Sequence, residues 1–114
     1  MAEWGTDELL DAEHEQTVAR IAALIAELDD IDAATVDANA DDEHDPEGST
    51  IAFERARVST LLSQGRAYLE ELELAQSRVG NGTYGVCARC GSAIPPERLS
   101  ARPVARTCMQ CAPL

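Results

Sequence analysis

Large apolar residues recur at short helical intervals between residues 6 and 31, and the positions between them are mostly Asp, Glu, Gln and Ala. Their spacing is typical of one stripe along a helix or a coiled-coil strand. Thr6, followed by two acids, is a suitable N-cap. The pattern therefore predicts a helix over residues 6–31, whose stripe needs a partner and consists of Leu10, Val18, Ile21, Leu24, Ile25, Leu28 and Ile31.

A second stripe of the same period runs from residue 51 to residue 79. Its helix has two candidate starts: Asp45 as N-cap with Pro46 at the first helical position, or a cap at residue 49 or 50. Gly80 is a candidate C′ residue, so the helix ends near residue 79. Gly65 lies on the stripe and predicts close approach to the first helix. The stripe comprises Ile51, Val58, Leu61, Leu62, Gly65, Tyr68, Leu69, Leu72, Ala75 and Val79.

The residues between the two stripes, 32–49, are acidic and poor in large apolar side chains. They predict a solvated, mobile connection, with residual helix at its start. Two matched stripes joined by one connection predict an antiparallel helical hairpin over residues 1–82. The acidic connection at about 32–49 forms its tip.

Four cysteines follow the second stripe in the pattern C-x2-C, seventeen residues, C-x2-C: Cys87, Cys90, Cys108 and Cys111. This spacing is typical of a four-cysteine zinc site, because Zn²⁺ accepts four thiolates in a tetrahedron. Gly91, directly after the first pair, suits the tight turn that presents two sulfurs to one metal. Four protein ligands leave no open position, so we expect one structural Zn²⁺ and no catalytic metal.

Other uses of the cysteines fit the sequence less well. Two disulfides need an oxidising compartment, and the acidic N-terminus has no apolar segment of a signal peptide. A thioredoxin-like pair needs a βαβ context, which the sequence does not suggest. No apolar run approaches the length of a membrane span. We therefore expect a cytoplasmic protein without membrane association.

The zinc module is expected to span residues 83–114. Pro95 and Pro96 followed by Glu97 predict a short helix through about Ser100. The apolar contacts of the module are expected from Ile94, Leu99 and Val104, and its arginines are Arg89, Arg98, Arg102 and Arg106. These arginines either solvate the module, stabilise thiolates, or contact a partner. The overall prediction is a mainly α fold: an antiparallel coiled-coil hairpin with a small C-terminal four-cysteine zinc finger.

Charge is distributed unevenly along the 114 residues, whose net charge is −12. Residues 1–50 hold sixteen acids and one base, Arg20, giving −15, and residues 51–114 hold five acids and eight bases, giving +3. This acidity argues against sequence-specific or bulk DNA binding, which depends on neutralising phosphates. It favours a partner with a positive surface or channel, although acid also simply keeps a thin protein in solution.

The zinc module resembles the zinc-finger signature of the DksA/TraR family. The resemblance covers residues 45–112 by motif and residues 6–44 by architecture only. Residues 45–56 are similar to the tip and second-helix segment of the family's actinobacterial-type members. The finger motif consists of Gly82-Thr83-Tyr84-Gly85-Val86-Cys87 with Cys90-Gly91, Ile94-Pro95 with Glu97-Arg98-Leu99 and Ala101-Arg102-Pro103, and Cys108 with Cys111.

The resemblance implies a regulator that binds RNA polymerase and not DNA. In this family the coiled coil enters the secondary channel, through which nucleotides reach the active site. The tip approaches the catalytic centre and changes the lifetime of the open complex, often together with the stringent-response nucleotide ppGpp. Acidic residues at such a tip can act on bound Mg²⁺ or on basic catalytic groups through charge.

The tip departs from the family pattern of D-x-x-D followed by x-Ala. If Asp45 matches the first acid, the second falls on Gly48, and Thr50 replaces the alanine. Asp42 and Asp45 form a D-x-x-D in another register. We therefore expect Asp45 as the effector residue, with Asp42 and Glu47 as substitutes, or Asp45 as an N-cap only.

Two further expectations follow from the resemblance. Arg98 and Arg102 are candidate contacts to the polymerase rim. The family's longer members carry a helix after the finger that helps to bind ppGpp, whereas this sequence ends three residues after Cys111. A ppGpp response is therefore doubtful.

Three other function classes remain open at the level of sequence. A protein-interaction adaptor or dimer would pair the hairpin with another helix. A nucleic-acid-binding zinc ribbon is less favoured, because only the finger is basic. An enzyme is least favoured, since no nucleophile–base pair or open metal site is apparent.

Overall fold

The computed structural model describes residues 5–41 and 46–112, with side chains described for residues 5–36 and 50–112. Three helices follow one another: α1 (Thr6–Asp41), α2 (Pro46–Asn81) and α3 (Pro96–Ala101). The described residues contain no strand, and Val86 and Ala93 form an isolated antiparallel bridge. This is the mainly α fold that the sequence predicts, with two long helices followed by a four-cysteine module. No helix of the described residues is long and apolar enough to cross a membrane.

The chain divides into two compact units, and both long helices contribute to both. We call residues 16–68 the helical unit, and residues 5–15 with 69–112 the finger unit. In the helical unit, Arg55 pairs with Asp32 at 2.7 Å and Arg57 with Glu27 at 3.5 Å. Residue numbers rise on one helix as they fall on the other, so the two helices are antiparallel.

The core of the helical unit is a narrow apolar cluster at the helix seam. Leu24, Val58 and Leu62 are its buried members, and Ile21, Leu28 and Ile31 pack against it. Gly65, also buried, lies beside Ile21. These residues come from both predicted stripes, so the stripes cover one another in part, whereas Val18, Ile25 and Leu61 of the same stripes are more than a third exposed.

The long helices are also antiparallel within the finger unit. Gln76 donates to Asp11 at 2.9 Å, and His14 lies 3.3 Å from Glu73. Leu10 and Leu72 are fully buried here. This part of the hairpin is therefore apolar at its seam and polar at its flanks.

The first helix continues well beyond the predicted end at Ile31. The prediction of a mobile connection from residue 32 is wrong for residues 32–41, because α1 extends to Asp41. This segment is rich in alanine, which has the highest helix propensity, and the Asp32–Arg55 pair supports its start. Of the two candidate starts of α2, the structure has the one at Pro46.

α2 ends at Asn81, and its C′ residue is Gly82 and not the predicted Gly80. Gly82 has a φ of +80°, which glycine adopts without strain. Its N–H donates to the Val79 carbonyl at 3.3 Å, and the Thr83 N–H donates to the Arg78 carbonyl at 2.9 Å. These two bonds are those of a Schellman motif with Gly82 as C′. The motif turns the chain out of the helix toward the first cysteine.

Candidate metal centre

The four predicted cysteines lie together in the finger unit. Their Sγ atoms all lie within 4.8 Å of one another, an arrangement able to hold one metal ion. All four are free thiols, so the structure contains neither of the two disulfides considered above. Sulfurs placed tetrahedrally at about 2.3 Å from zinc have edges of about 3.8 Å. Cys90 and Cys108 are 3.8 Å apart at Sγ, which matches that edge.

Two tight turns present the sulfurs in pairs. In the first, the Gly91 N–H donates to the Cys87 carbonyl at 3.0 Å, and Gly91 has a φ of +77°. The positive φ confirms the reason for expecting glycine at this position. In the second, the Cys111 N–H donates to the Cys108 carbonyl at 3.2 Å. The first turn closes on the residue after its cysteine pair and the second on its own second cysteine, but each brings two sulfurs to the site.

A small apolar cluster surrounds the thiols. Its buried members are Cys87, Ile94 and Cys108, and Leu99 and Cys111 pack against them. Two of the three buried residues are thus themselves predicted metal ligands. Because the cluster contains so few other side chains, we expect the module to depend on the metal for much of its folding free energy.

Hydrogen bonds around the thiols shift their pKa values in opposite directions. Hydrogen bonds from the backbone of Cys90 and Cys108 are the largest causes that lower the pKa of Cys87, to about 6. The Ser92 side chain is the largest cause that lowers the pKa of Cys90. Contact with the Cys108 thiol is the main cause that raises the pKa of Cys111, to about 12.

These shifts fit a site that collects negative charge. N–H donors stabilise a thiolate at Cys87, whereas crowded thiols resist ionising together. A divalent cation removes that resistance, since thiols that coordinate zinc are deprotonated outright. The residues present therefore suit one structural Zn²⁺, held by the four thiolates.

Arg98 and Arg102, the predicted rim contacts, differ in their surroundings. Arg98 is half-buried, and its Nε donates to the Thr107 carbonyl at 2.8 Å, while its Nη1 lies 3.0 Å from Met109 Sδ. The Arg102 side chain is exposed. Both arginines line a cavity of about 260 Å³ together with Glu71, Val104, Ala105, Arg106, Thr107 and Ala112.

Arg78 is a cation near the site that sequence reasoning did not single out. Burial is the main cause that lowers its pKa, and repulsion from Arg106 acts in the same direction. Its Nη2 is buried and has no hydrogen-bond partner among the described residues. Its position in the last turn of α2 was readable from the sequence, but its proximity to Arg106 depends on how the finger folds back.

Tyr84 connects the start of the finger to the segment that precedes the second cysteine pair. Its hydroxyl donates to the Pro103 carbonyl at 2.8 Å. The Ala88 N–H, between the first two cysteines, donates to the Arg106 carbonyl at 2.8 Å. Both bonds link the first half of the finger to the segment that precedes the second pair.

The predicted effector residues cannot be placed against this site. Asp42 and Asp45 lie outside the described residues. Glu47 belongs to the first turn of α2, and its side chain is outside the described set. Their role as an acidic tip stays a prediction, as does the domain boundary between residues 82 and 83.

The fold is similar to that of a solved transcription factor. The structure of DksA2 from Pseudomonas aeruginosa matches 92% of this chain and 75% of its own, with a TM-score of 0.78 and 25% sequence identity.

Curated relatives match over shorter segments. An uncharacterized protein of Aquifex aeolicus (strain VF5) is 48% identical over 46 residues, which are 40% of this chain and 32% of that protein. General stress protein 16O of Bacillus subtilis (strain 168) is 40% identical over 68 residues, 60% of this chain and 42% of that protein. The chain thus spans less than half the length of these relatives.

The match to a protein family falls on the cysteine module itself. Residues 82–113 match the prokaryotic dksA/traR C4-type zinc finger. The four clustered thiols and the DksA-like helical hairpin agree with that match. The C-terminal module of this chain is therefore a C4-type zinc finger of the DksA/TraR family.

Proposed function

We propose that the protein is a transcription regulator that binds RNA polymerase and inserts its hairpin into the secondary channel to modulate initiation. The observation that carries the proposal is the likeness of 92% of the chain to the transcription factor DksA2. The dksA/traR zinc finger supports it from the sequence side. The same function would place the protein with the polymerase in the cytoplasm, in a regulatory and not an enzymatic role.

The helical unit has dimensions that suit a deep pore. Segment 16–41 of α1 spans roughly 39 Å at 1.5 Å per residue. The half of the chain that carries it, residues 1–50, has a net charge of −15, from one base and sixteen acids. Complementary charge would speed its encounter with a positively lined channel.

The residue roles in this proposal follow the family resemblance. Asp45 would be the effector at the tip, with Asp42 and Glu47 as neighbouring acids. Arg102 and Arg98 would contribute positive charge toward the polymerase rim. Neither ppGpp binding nor direct DNA recognition is part of the proposal.

The first experiment is binding of the zinc-loaded protein to core RNA polymerase, followed by fluorescence anisotropy of a label at the N-terminus. We expect saturable binding that is displaced by a competitor known to occupy the secondary channel. Absence of binding at micromolar polymerase would remove the proposal. Binding that the competitor leaves intact would place the protein elsewhere on the polymerase.

The tip is tested separately from binding. Asp45→Asn is expected to retain polymerase affinity but to lose the effect on open-complex lifetime. Asp29→Asn is a matched control, because Asp29 is an exposed acid of α1 within the helical unit. Equal behaviour of the two variants would remove Asp45 from the effector role.

A second candidate function is a protein-interaction adaptor whose helices pair with another helix. It is favoured by large apolar side chains that the helical unit leaves exposed: Val18 44%, Ile25 38%, Phe53 75% and Leu61 37%. Sedimentation velocity tests for self-association, with Phe53→Ser as the variant expected to abolish it. A monomer at all concentrations that also binds polymerase favours the first function.

A further inference from the structure

Arg98 makes two contacts that bracket a cysteine. Its Nε donates to the carbonyl of Thr107, directly before Cys108, at 2.8 Å. Its Nη1 lies 3.0 Å from the sulfur of Met109, directly after Cys108. We propose that Arg98 is a positioning residue for the metal site, which holds the Cys108–Cys111 turn in place to receive zinc.

The two cysteine pairs differ in how their backbone is held. Around the first pair, the Cys87 N–H donates to the Ser92 carbonyl and the Ile94 N–H to the Gly85 carbonyl, both at 2.8 Å. The Val86–Ala93 bridge adds to this local hairpin. The first pair is therefore fixed by residues close to it in sequence.

The second pair has no such hairpin among the described residues. Its own backbone bond is the 3.2 Å turn from Cys111 N–H to the Cys108 carbonyl. The connection to the rest of the finger comes from the residues just before it, at the Arg106 and Thr107 carbonyls. Arg98 supplies the bond at the Thr107 carbonyl, and Ala88 supplies the bond at the Arg106 carbonyl. Arg98 therefore restrains the Cys108–Cys111 turn from α3.

The short helix α3 offers a second contact beside Arg98. Leu99 packs against the cluster that contains Cys87, Ile94 and Cys108. The Arg98 and Leu99 N–H groups both donate to the Pro95 carbonyl, at 3.0 and 3.2 Å. Leu99 thus packs against the apolar cluster that contains Cys108, while the neighbouring Arg98 binds the backbone carbonyl just before Cys108.

The geometry calls for arginine and not for any cation. A guanidinium presents several N–H donors in a fixed plane, so Nε and Nη1 can address two acceptors at once. A lysine ammonium is a single charged point on a flexible stem. The thioether of Met109 is a weak acceptor, so the Thr107 carbonyl is the stronger of the two contacts.

The test measures zinc binding by the full-length chain and needs no polymerase. Zinc affinity is obtained by competition with a chromogenic chelator, and Co²⁺ titration reports the tetrathiolate absorption band. Arg98→Ala is expected to weaken zinc binding by about 10-fold or more, the effect typical of residues that orient metal ligands. Arg98→Lys is expected to recover part of the affinity, and Met109→Leu to retain most of it.

Arg102→Ala is the matched control, since Arg102 is an exposed arginine of the same module. It is expected to bind zinc like the unmodified protein. Equal zinc affinity of the Arg98→Ala and Arg102→Ala variants would overturn the proposal. Full affinity in Arg98→Lys would also overturn it, because a lysine ammonium on its flexible stem does not reproduce the fixed donor geometry of the guanidinium.

A general loss of stability is separated from positioning by amide exchange at saturating zinc. We expect the protection of Ile94, in the finger cluster, to be unchanged in Arg98→Ala. Loss of protection there would mean that the substitution acts through unfolding of the finger, and the positioning role would be rejected.

Discussion

A β-carbon placed on Gly65 would lie 3.2 Å from Cγ1 of Ile21 on the opposite helix. This distance is shorter than ordinary van der Waals contact, so the glycine allows the two helices of the helical unit to approach at this level. The same position is a helix interior, where glycine costs about 1 kcal/mol relative to alanine. Close packing and helix propensity therefore act against each other at residue 65.

We expect Gly65→Ala to lower the melting temperature, because the gain in propensity is outweighed by the clash with Ile21. Overpacking of a core typically costs about 1–3 kcal/mol. Gly80→Ala is the control, since Gly80 also lies in α2 and has nothing within 4 Å of its added β-carbon. That variant is expected to gain up to about 1 kcal/mol. Thermal unfolding by circular dichroism compares them, and equal stabilisation of both would contradict the packing argument.

Removal of zinc should unfold the finger and leave the core of the helical unit folded. Two of the three buried residues of the finger cluster are Cys87 and Cys108, so the module retains little apolar packing without the metal. The helical unit has its own cluster at Leu24, Val58 and Leu62. Amide exchange after chelation is expected to show lost protection at Ile94 and retained protection at Val58.

The Cys87→Ser variant provides the control for chelator side effects. It should reproduce the exchange pattern of the chelated protein without any chelator. Retained protection at Ile94 in both samples would show that the finger folds without zinc.

Alkaline pH should destabilise the protein through Tyr84. Burial is the main cause that raises the pKa of this phenol, and Arg78 partly opposes it. A raised pKa means that the folded state favours the protonated form. The associated stability is present below the ordinary value of about 10 and is lost as pH rises through the higher folded value.

The alkaline prediction is measured by melting temperature between pH 8 and pH 11 or so, alongside tyrosinate absorbance. Tyr84→Phe removes the 2.8 Å bond to the Pro103 carbonyl, which is expected to cost about 1 kcal/mol at neutral pH. Its alkaline dependence should be weaker than that of the unmodified protein. Parallel pH profiles for the two proteins would mean that Tyr84 does not contribute to the alkaline transition.

The helical stripes were readable from the sequence, but their exact membership was not. Positions 10, 17, 24 and 31 are spaced by seven, and Thr17, with 1% exposure, is the polar member of that series. A stripe defined by large apolar residues passes over Thr17 and includes Val18, which is 44% exposed. The apolar pattern missed this register because Thr17 is polar. A threonine can nevertheless be buried when its hydroxyl has a partner.

The cysteine cluster was predictable because a metal imposes its ligand spacing directly on the chain. The role of Arg98 was not predictable from the sequence, because the Thr107 carbonyl comes within reach of Arg98 on α3 only after the chain turns at residues 103–106. Gly80 was predicted as the C′ residue of α2, whereas Gly82 takes that place in the structure. Asn81 Oδ1 accepts from the Thr83 N–H at 3.2 Å and from its hydroxyl at 2.6 Å, which favours ending the helix at residue 81.

The extension of α1 beyond Ile31 leads to a prediction about Ala34. This residue lies within the helical segment that the sequence pattern assigned to a connection. Ala34→Gly in a helix interior is expected to cost about 1 kcal/mol. In an irregular, solvated segment the same substitution would have little effect, so it distinguishes the two descriptions.

Ala22→Gly is the matched reference for that measurement, because Ala22 is an exposed alanine in the part of α1 that sequence and structure both make helical. Chemical denaturation should give similar losses of unfolding free energy for the two variants. A loss at Ala22 without one at Ala34 would mean that the helix near residue 34 contributes nothing to stability. Equal losses would show that α1 is formed cooperatively past Ile31, as the Asp32–Arg55 pair at 2.7 Å suggests.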